Sequence, residues 1–143
     1  MEASTCIQKQ RMIKNHFISC STSEEKYIKL IELGKLLEPF EEGWKTGANI
    51  VQGCQSILYL HTTVQEGKIF FKAYSEALIS AGLAFLLIGV YNEESPEVVL
   101  KCSPSFIKEL GLDLALSPGR SNGSASMYLR MQQEAIKTFS YLL

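Results

Sequence analysis

The chain has 143 residues, 46% of them hydrophobic, and a formal net charge of −1. This is enough apolar material for a core within one domain spanning residues 1–143, and the near-balanced charge argues against nucleic acid or an anionic membrane as a partner. Asp113 is the only aspartate among fifteen acidic residues, which excludes multi-aspartate calcium loops, and the best-marked nucleotide motifs, G-x-G-x-x-G and the P-loop, are absent.

In chain order, MEASTCIQKQRMIKNHF lacks the continuous apolar stretch of a signal peptide, so the expected location is cytoplasmic. Residues 4–18 read as a short helix with Ile7, Met12 and Ile13 loosely on one side. Thr22 to Glu25 forms a capping box for a second helix. Its apolar positions, Tyr27, Leu30, Ile31, Leu33, Leu36 and Leu37, recur at helical spacing until Pro39 stops it. Residues 41–52, with Gly43, Gly47 and Asn49, read as a surface loop in which Trp44 is an anchor or a contact.

A strand opens at Ile57 and a second covers Lys68–Tyr74, with Gln65-Glu66-Gly67 as the turn of a β-hairpin. Apolar residues on both strand faces imply partial cover by helices. ALISAGLAFLLIGVY at 77–91 is too short for the ~20 residues of a membrane span, and residues 76–91 read as a buried core helix. Short helices start at Ser95-Pro96-Glu97 and at Ser103-Pro104. Residues 117–123 read as a turn before a terminal helix carrying Met127, Leu129, Met131, Ile136 and Phe139. The expected fold class is α+β: a small antiparallel sheet, a hairpin with room for a third strand, packed against several helices.

The four cysteines, Cys6, Cys20, Cys54 and Cys102, show no C-x-x-C and no zinc spacing. Without an export signal they are expected as reduced thiols. Cys6, Cys20 and Cys102 suit packing or incidental surface roles. Cys54 differs, because it stands in front of the strand pattern, behind Gly53. Its position admits both a packed small hydrophobe and a nucleophile.

A cysteine hydrolase would need a histidine on the sulfur. His61 lies seven residues along the same extended run, roughly 23 Å away, and His16 cannot be placed; both suit structural or surface roles. Exchange with a sulfur activated in another protein needs no resident base. It needs a reachable thiol and a nearby positive field, for which Arg120 is the candidate.

Four segments carry a family resemblance: V-Q-G-C-Q-S at 51–56, K-Y-I-K-L-I-E-L-G-K-L-L at 26–37, G-V-Y-N at 89–92 and L-S-P-G-R-S-N-G-S-A-S-M at 116–127. In this order, over roughly residues 10–135, the chain resembles the SufE family of sulfur acceptors, with a SufE/IscU-like fold. The resemblance implies a carrier that takes persulfide sulfur from a pyridoxal-phosphate cysteine desulfurase (SufS-like), stimulates that enzyme, and relays sulfur to an iron–sulfur assembly scaffold (SufB-like). It would be a carrier and activator rather than an independent enzyme. The pyridoxal phosphate belongs to the partner, so no cofactor or metal is expected here.

By the same resemblance Cys54 maps to the acceptor, with Gln52, Gly53, Gln55, Ser56 and Arg120 in support. The family's acidic pair at the core-helix start is reduced to Tyr74, Ser75 and Glu76. Ala81 stands where a lysine is common, and Gly119 where a serine is frequent, changes that bear on partner choice. Glu76 keeps a carboxylate that would favour the helix dipole. Alternatives are an iron–sulfur scaffold and a non-covalent desulfurase regulator. A homodimer is one option for the oligomeric state.

Overall fold

The computed structural model describes residues 2–112 and 118–142, with side chains over 5–112 and 124–139. Among the described residues there are six α-helices, α1 (Glu2–His16), α2 (Ser23–Gly34), α3 (Leu78–Tyr91), α4 (Pro96–Lys101), α5 (Phe106–Glu109) and α6 (Pro118–Leu142), and two single 3-10 turns at Glu42–Trp44 and Gly47–Asn49. The hairpin consists of β1 (Tyr59–Gln65) and β2 (Lys68–Tyr74). The fold is α+β, as expected.

The buried centre is α3. Leu83, Ala84, Leu86, Leu87, Val90 and Tyr91 are almost fully covered, as a helix apolar on most sides must be. α2 packs along it, its entry fixed by Thr22, whose Oγ1 accepts from the Glu25 amide at 3.1 Å. The Glu25 carboxylate reaches back in turn, accepting from the Ser21 hydroxyl at 2.9 Å and the Thr22 hydroxyl at 3.2 Å. α2 and α3 cross backbone to backbone, and a Cβ on Gly82 would collide with the Leu30 carbonyl. Gly34, whose own Cβ would meet the Gly82 nitrogen at 2.7 Å, is the last residue of α2, which stops short of the expected end before Pro39. Leu36 and Leu37 lie beyond the helix, and Leu36 is exposed.

The expected hairpin is present, with Gln65 in β1 opposite Lys68, so the turn is one residue shorter than expected: Glu66 and Gly67, both with the positive φ of a tight two-residue turn. Ile69, Phe71 and Ala73 of β2, with Leu60 of β1, face the core. The outer face is covered by a loop rather than a helix. Trp44 stacks on His61 with ring centroids 3.9 Å apart, and Phe40 lies against Trp44, Tyr59 and Tyr74. Among the described residues the sheet has two strands. The third is represented only by single bridges, Ile50 to Tyr59 and Ile69 to Glu94.

Two helix faces differ from expectation. On α1 the buried residues are Cys6, Gln10 and Ile13, while Ile7 and Met12 are exposed. The pattern was obscured because a polar residue sits in the stripe. The Gln10 amide donates to the Ser103 carbonyl at 3.0 Å and accepts from the Phe106 amide at 3.1 Å, which satisfies it in the interior. On α6 the inward residues are Met127, Met131 and Ala135, whereas Leu129 and Ile136 face outward.

Cys6 and Cys102 are joined as a disulfide with Cα atoms 6.7 Å apart, which corrects the expectation of reduced, independent thiols for this pair. α1 lies across the turn after α4, and two small sulfur side chains meet where Gln10 fastens the same turn. Pairing at this sequence separation of 96 leaves no local pattern to read.

Candidate functional site around Cys54

The segment before β1 is pinned at both ends. At its base the Val51 amide donates to the Leu58 carbonyl at 2.8 Å, with both side chains buried. Asn49 turns the incoming chain by donating from Nδ2 to the Trp44 carbonyl at 2.8 Å. On the outgoing side, Ser75 Oγ donates to the Ile57 carbonyl at 2.8 Å while accepting from the Ala77 amide at 3.2 Å. One serine thus ties the loop to the start of α3. Between the pins run Gln52, Gly53, Cys54, Gln55 and Ser56, which form turn and bend without regular structure.

Gly53 has φ +89, a conformation that side-chain-bearing residues rarely adopt. A Cβ there would also lie 2.5 Å from Ser126 Oγ on α6. Glycine is therefore required twice, by the turn and by the close approach to the helix. The next residue, Cys54, keeps its thiol and is half-buried against the core, and burial pushes that thiol up from its ordinary value. Gln52 and Gln55 are exposed and Ser56 is half-buried. Ile57 holds an apolar side chain 61% exposed beside them.

Ser56 and Ile57 form one wall of a cleft of about 530 Å³, completed by Lys45, Tyr59, Tyr74, Glu76 and Ala77. Lys45 caps the Tyr74 ring at 3.7 Å and pairs with Glu42 at 2.8 Å. Glu76 does not lie in the first turn of α3 as expected; the helix begins at Leu78. Its carboxylate instead accepts from the Tyr74 hydroxyl at 3.4 Å.

The expected turn at 117–123 is helical from Pro118 onward, so α6 starts earlier than the glycines suggested. A proline in the first turn supplies a φ already suited to the helix. Arg120 is placed in that first turn. Its side chain, and Ser117, lie outside the described residues. His61 is engaged in its stack on Trp44, and His16 is exposed at the end of α1.

Sequence reasoning missed one residue of this site. Arg130 donates from Nη1 to the Ile50 carbonyl at 2.9 Å and from Nη2 to the Ala48 carbonyl at 2.5 Å. Glu134, one turn on, holds its Nε at 3.0 Å. The i,i+4 spacing to Glu134 was visible, but it reads as an ordinary helix-surface pair.

Among the described residues no three His, Cys, Asp or Glu side chains gather as a metal site, and no helix is long and apolar enough to cross a membrane.

Comparison with known proteins agrees with this architecture. A family model described as "SufE: Fe-S metabolism associated domain" matches residues 11–135. An uncharacterized SufE-like protein of Synechocystis sp. is 37% identical over 113 residues, covering 79% of this chain and 71% of that one. SufE-like protein 1, chloroplastic/mitochondrial, of Arabidopsis thaliana is 35% identical over 122 residues, which is 84% of this chain but only 33% of the Arabidopsis protein. A solution structure of a hypothetical protein from Thermus thermophilus superposes with a TM-score of 0.75 at 27% identity, over 92% of this chain and 96% of that one. The α+β architecture is thus shared with a solved structure over nearly the whole of both chains. This chain belongs to the SufE family, and its role lies in iron–sulfur metabolism, alongside the assembly machinery of that pathway.

Proposed function

We propose that the protein is a sulfur carrier: Cys54 accepts sulfane sulfur from the persulfide of a cysteine desulfurase and relays it to iron–sulfur assembly. The observation that carries this reading is the Cys54 loop, a thiol at the middle of a short segment pinned on both sides. Gly53 on one side of it adopts a left-handed turn.

In the transfer, Cys54 gives up its proton and the thiolate attacks the outer sulfur of the donor's Cys–S–SH. A sulfur–sulfur bond forms on Cys54, the donor's sulfur–sulfur bond breaks, and the donor cysteine leaves as a thiolate that regains a proton. Nothing is oxidised or reduced overall. The partner's pyridoxal phosphate generates the donor persulfide.

Half-burial suits a carrier at rest, because a thiol held mainly protonated is a poor target for stray oxidants. On docking, the pinned loop turns Cys54 outward. The exposed Ile57 and the cleft bearing Lys45 and Glu76 adjoin this loop and give the desulfurase a surface to meet. The single SufE-like domain is then sufficient for acceptance, and a SufB-like scaffold is the onward recipient. A cluster scaffold is less favoured, because holding a cluster takes several thiolates and Cys6 and Cys102 are bonded to each other.

The test is desulfurase turnover with cysteine as substrate. Wild-type protein is expected to stimulate it and Cys54→Ser to lose that stimulation. Equal stimulation by the two proteins would establish a non-covalent regulator instead.

A further inference from the structure

The Cys54 loop is also held from α6, and the residue that does so lies far from it in sequence. Arg130 is mostly covered, its side chain 15% exposed, and so is Glu134 at 16%. Three of its donors are committed: Nε to Glu134, Nη1 to the Ile50 carbonyl, and Nη2 to the Ala48 carbonyl. A planar guanidinium bonded in this way fixes position and direction together. One helical turn earlier, Ser126 touches Gly53 closely enough that no Cβ fits between them. The same face of α6 therefore grips the incoming strand of the loop at Ala48 and Ile50 and bears on its apex at Gly53.

We propose that Arg130 is a positioning residue for Cys54: its two bonds to the Ala48 and Ile50 carbonyls set where the thiol rests and how far the loop can travel. Ile50 is four residues before Cys54, so a loop anchored there reaches at most ~13 Å from the anchor. When the anchor is released, the inward-packed thiol moves toward solvent. Glu134 acts one step back, by holding the guanidinium in the plane that meets both carbonyls. This assignment rests on the sulfur-carrier reading for its purpose, but its geometry is tested without a desulfurase.

The experiment follows reaction of Cys54 with an aromatic disulfide from pH 6 to pH 10, in a Cys20→Ser background so that Cys54 is the reporting thiol. Arg130→Ala is expected to react at least ~3-fold faster at pH 8, with its apparent thiol pKa moved down toward the ordinary range. Arg130→Lys, which can reach one carbonyl but not both in one plane, and Glu134→Gln are expected to fall between. A purely structural role would lower the melting temperature and leave the pH profile of the thiol where it was. A folded Arg130→Ala protein with the wild-type profile overturns the proposal. If that variant does not fold, Arg130→Gln reads the same profile, and a wild-type curve there overturns it equally. The same proteins are then offered a desulfurase and cysteine. A shifted profile with no sulfur on wild-type Cys54 keeps the positioning role and rejects the carrier reading. Sulfur on Cys54 with an unshifted profile does the reverse.

Discussion

Two cysteine environments in this chain have opposite designs. Cys6 and Cys102 lie in the interior, bonded to each other, with the Gln10 amide 3.5 Å from the Cys102 sulfur. Everything around them is fixed by helix packing. Cys54 is half-buried on a short segment whose regular hydrogen bonds stop at Val51 and resume at Leu58. The backbone around each cysteine accounts for the difference. Cys6, on the buried face of α1, meets Cys102 at the end of α4 and forms a staple, whereas Cys54 keeps its thiol on a pinned loop.

The contrast is broken most severely at the staple. Replacing both Cys6 and Cys102 by serine opens a cross-link spanning 96 residues and is expected to cost ~3–5 kcal/mol of stability in a denaturant titration. Sulfur acceptance by the folded fraction should be unchanged. Loss of acceptance with retained stability would merge the two environments.

At the loop, Gly53→Ala places a side chain at φ +89 and against Ser126. The expected cost is ~1–3 kcal/mol, with slower sulfur acceptance. Gly53→Ala in combination with Ser126→Gly should recover the steric part and leave the backbone part, which separates the two causes. A third substitution, Thr22→Ala at the α2 cap, touches neither environment. It should lower stability by ~1 kcal/mol and leave thiol reactivity alone.

The smallest effect is in pH. Burial raises the Cys54 thiol in the folded protein, so over the window above the ordinary thiol value the folded state holds more protons than the unfolded one. Stability from this group is complete below that window and declines as pH rises through it. In the same way, alkylation of folded Cys54 should lag behind that of the unfolded chain near pH 8 and converge at higher pH. Equal rates at pH 8 would show that the thiol is not held back at rest.

Much of the fold could be read from local chemistry. Thr22 and Glu25 marked the start of α2, Gln65-Glu66-Gly67 marked the hairpin turn to within a residue, and the run at 76–91 marked the central helix. In each case the physics acts within a few residues. The close packing of α2 on α3 through Gly34 and Gly82 was not legible, because the contact joins two segments distant in sequence. The buried face of α1 was missed because Gln10 is satisfied by groups more than ninety positions away. For the site, Gly53-Cys54 before a strand was legible as a placement, and the resemblance gave that placement a role. Arg130 was not legible, since its partners Ala48 and Ile50 are backbone carbonyls about eighty residues upstream and a carbonyl leaves no mark on the sequence.

The central claim, that Cys54 itself carries the sulfur, is tested most directly by mass spectrometry of the protein after incubation with a cysteine desulfurase and cysteine. The account predicts one added sulfur atom, located to the peptide containing Cys54 and removed by a reducing thiol. A Cys54 peptide of unchanged mass, after turnover that the protein has demonstrably stimulated, would contradict it.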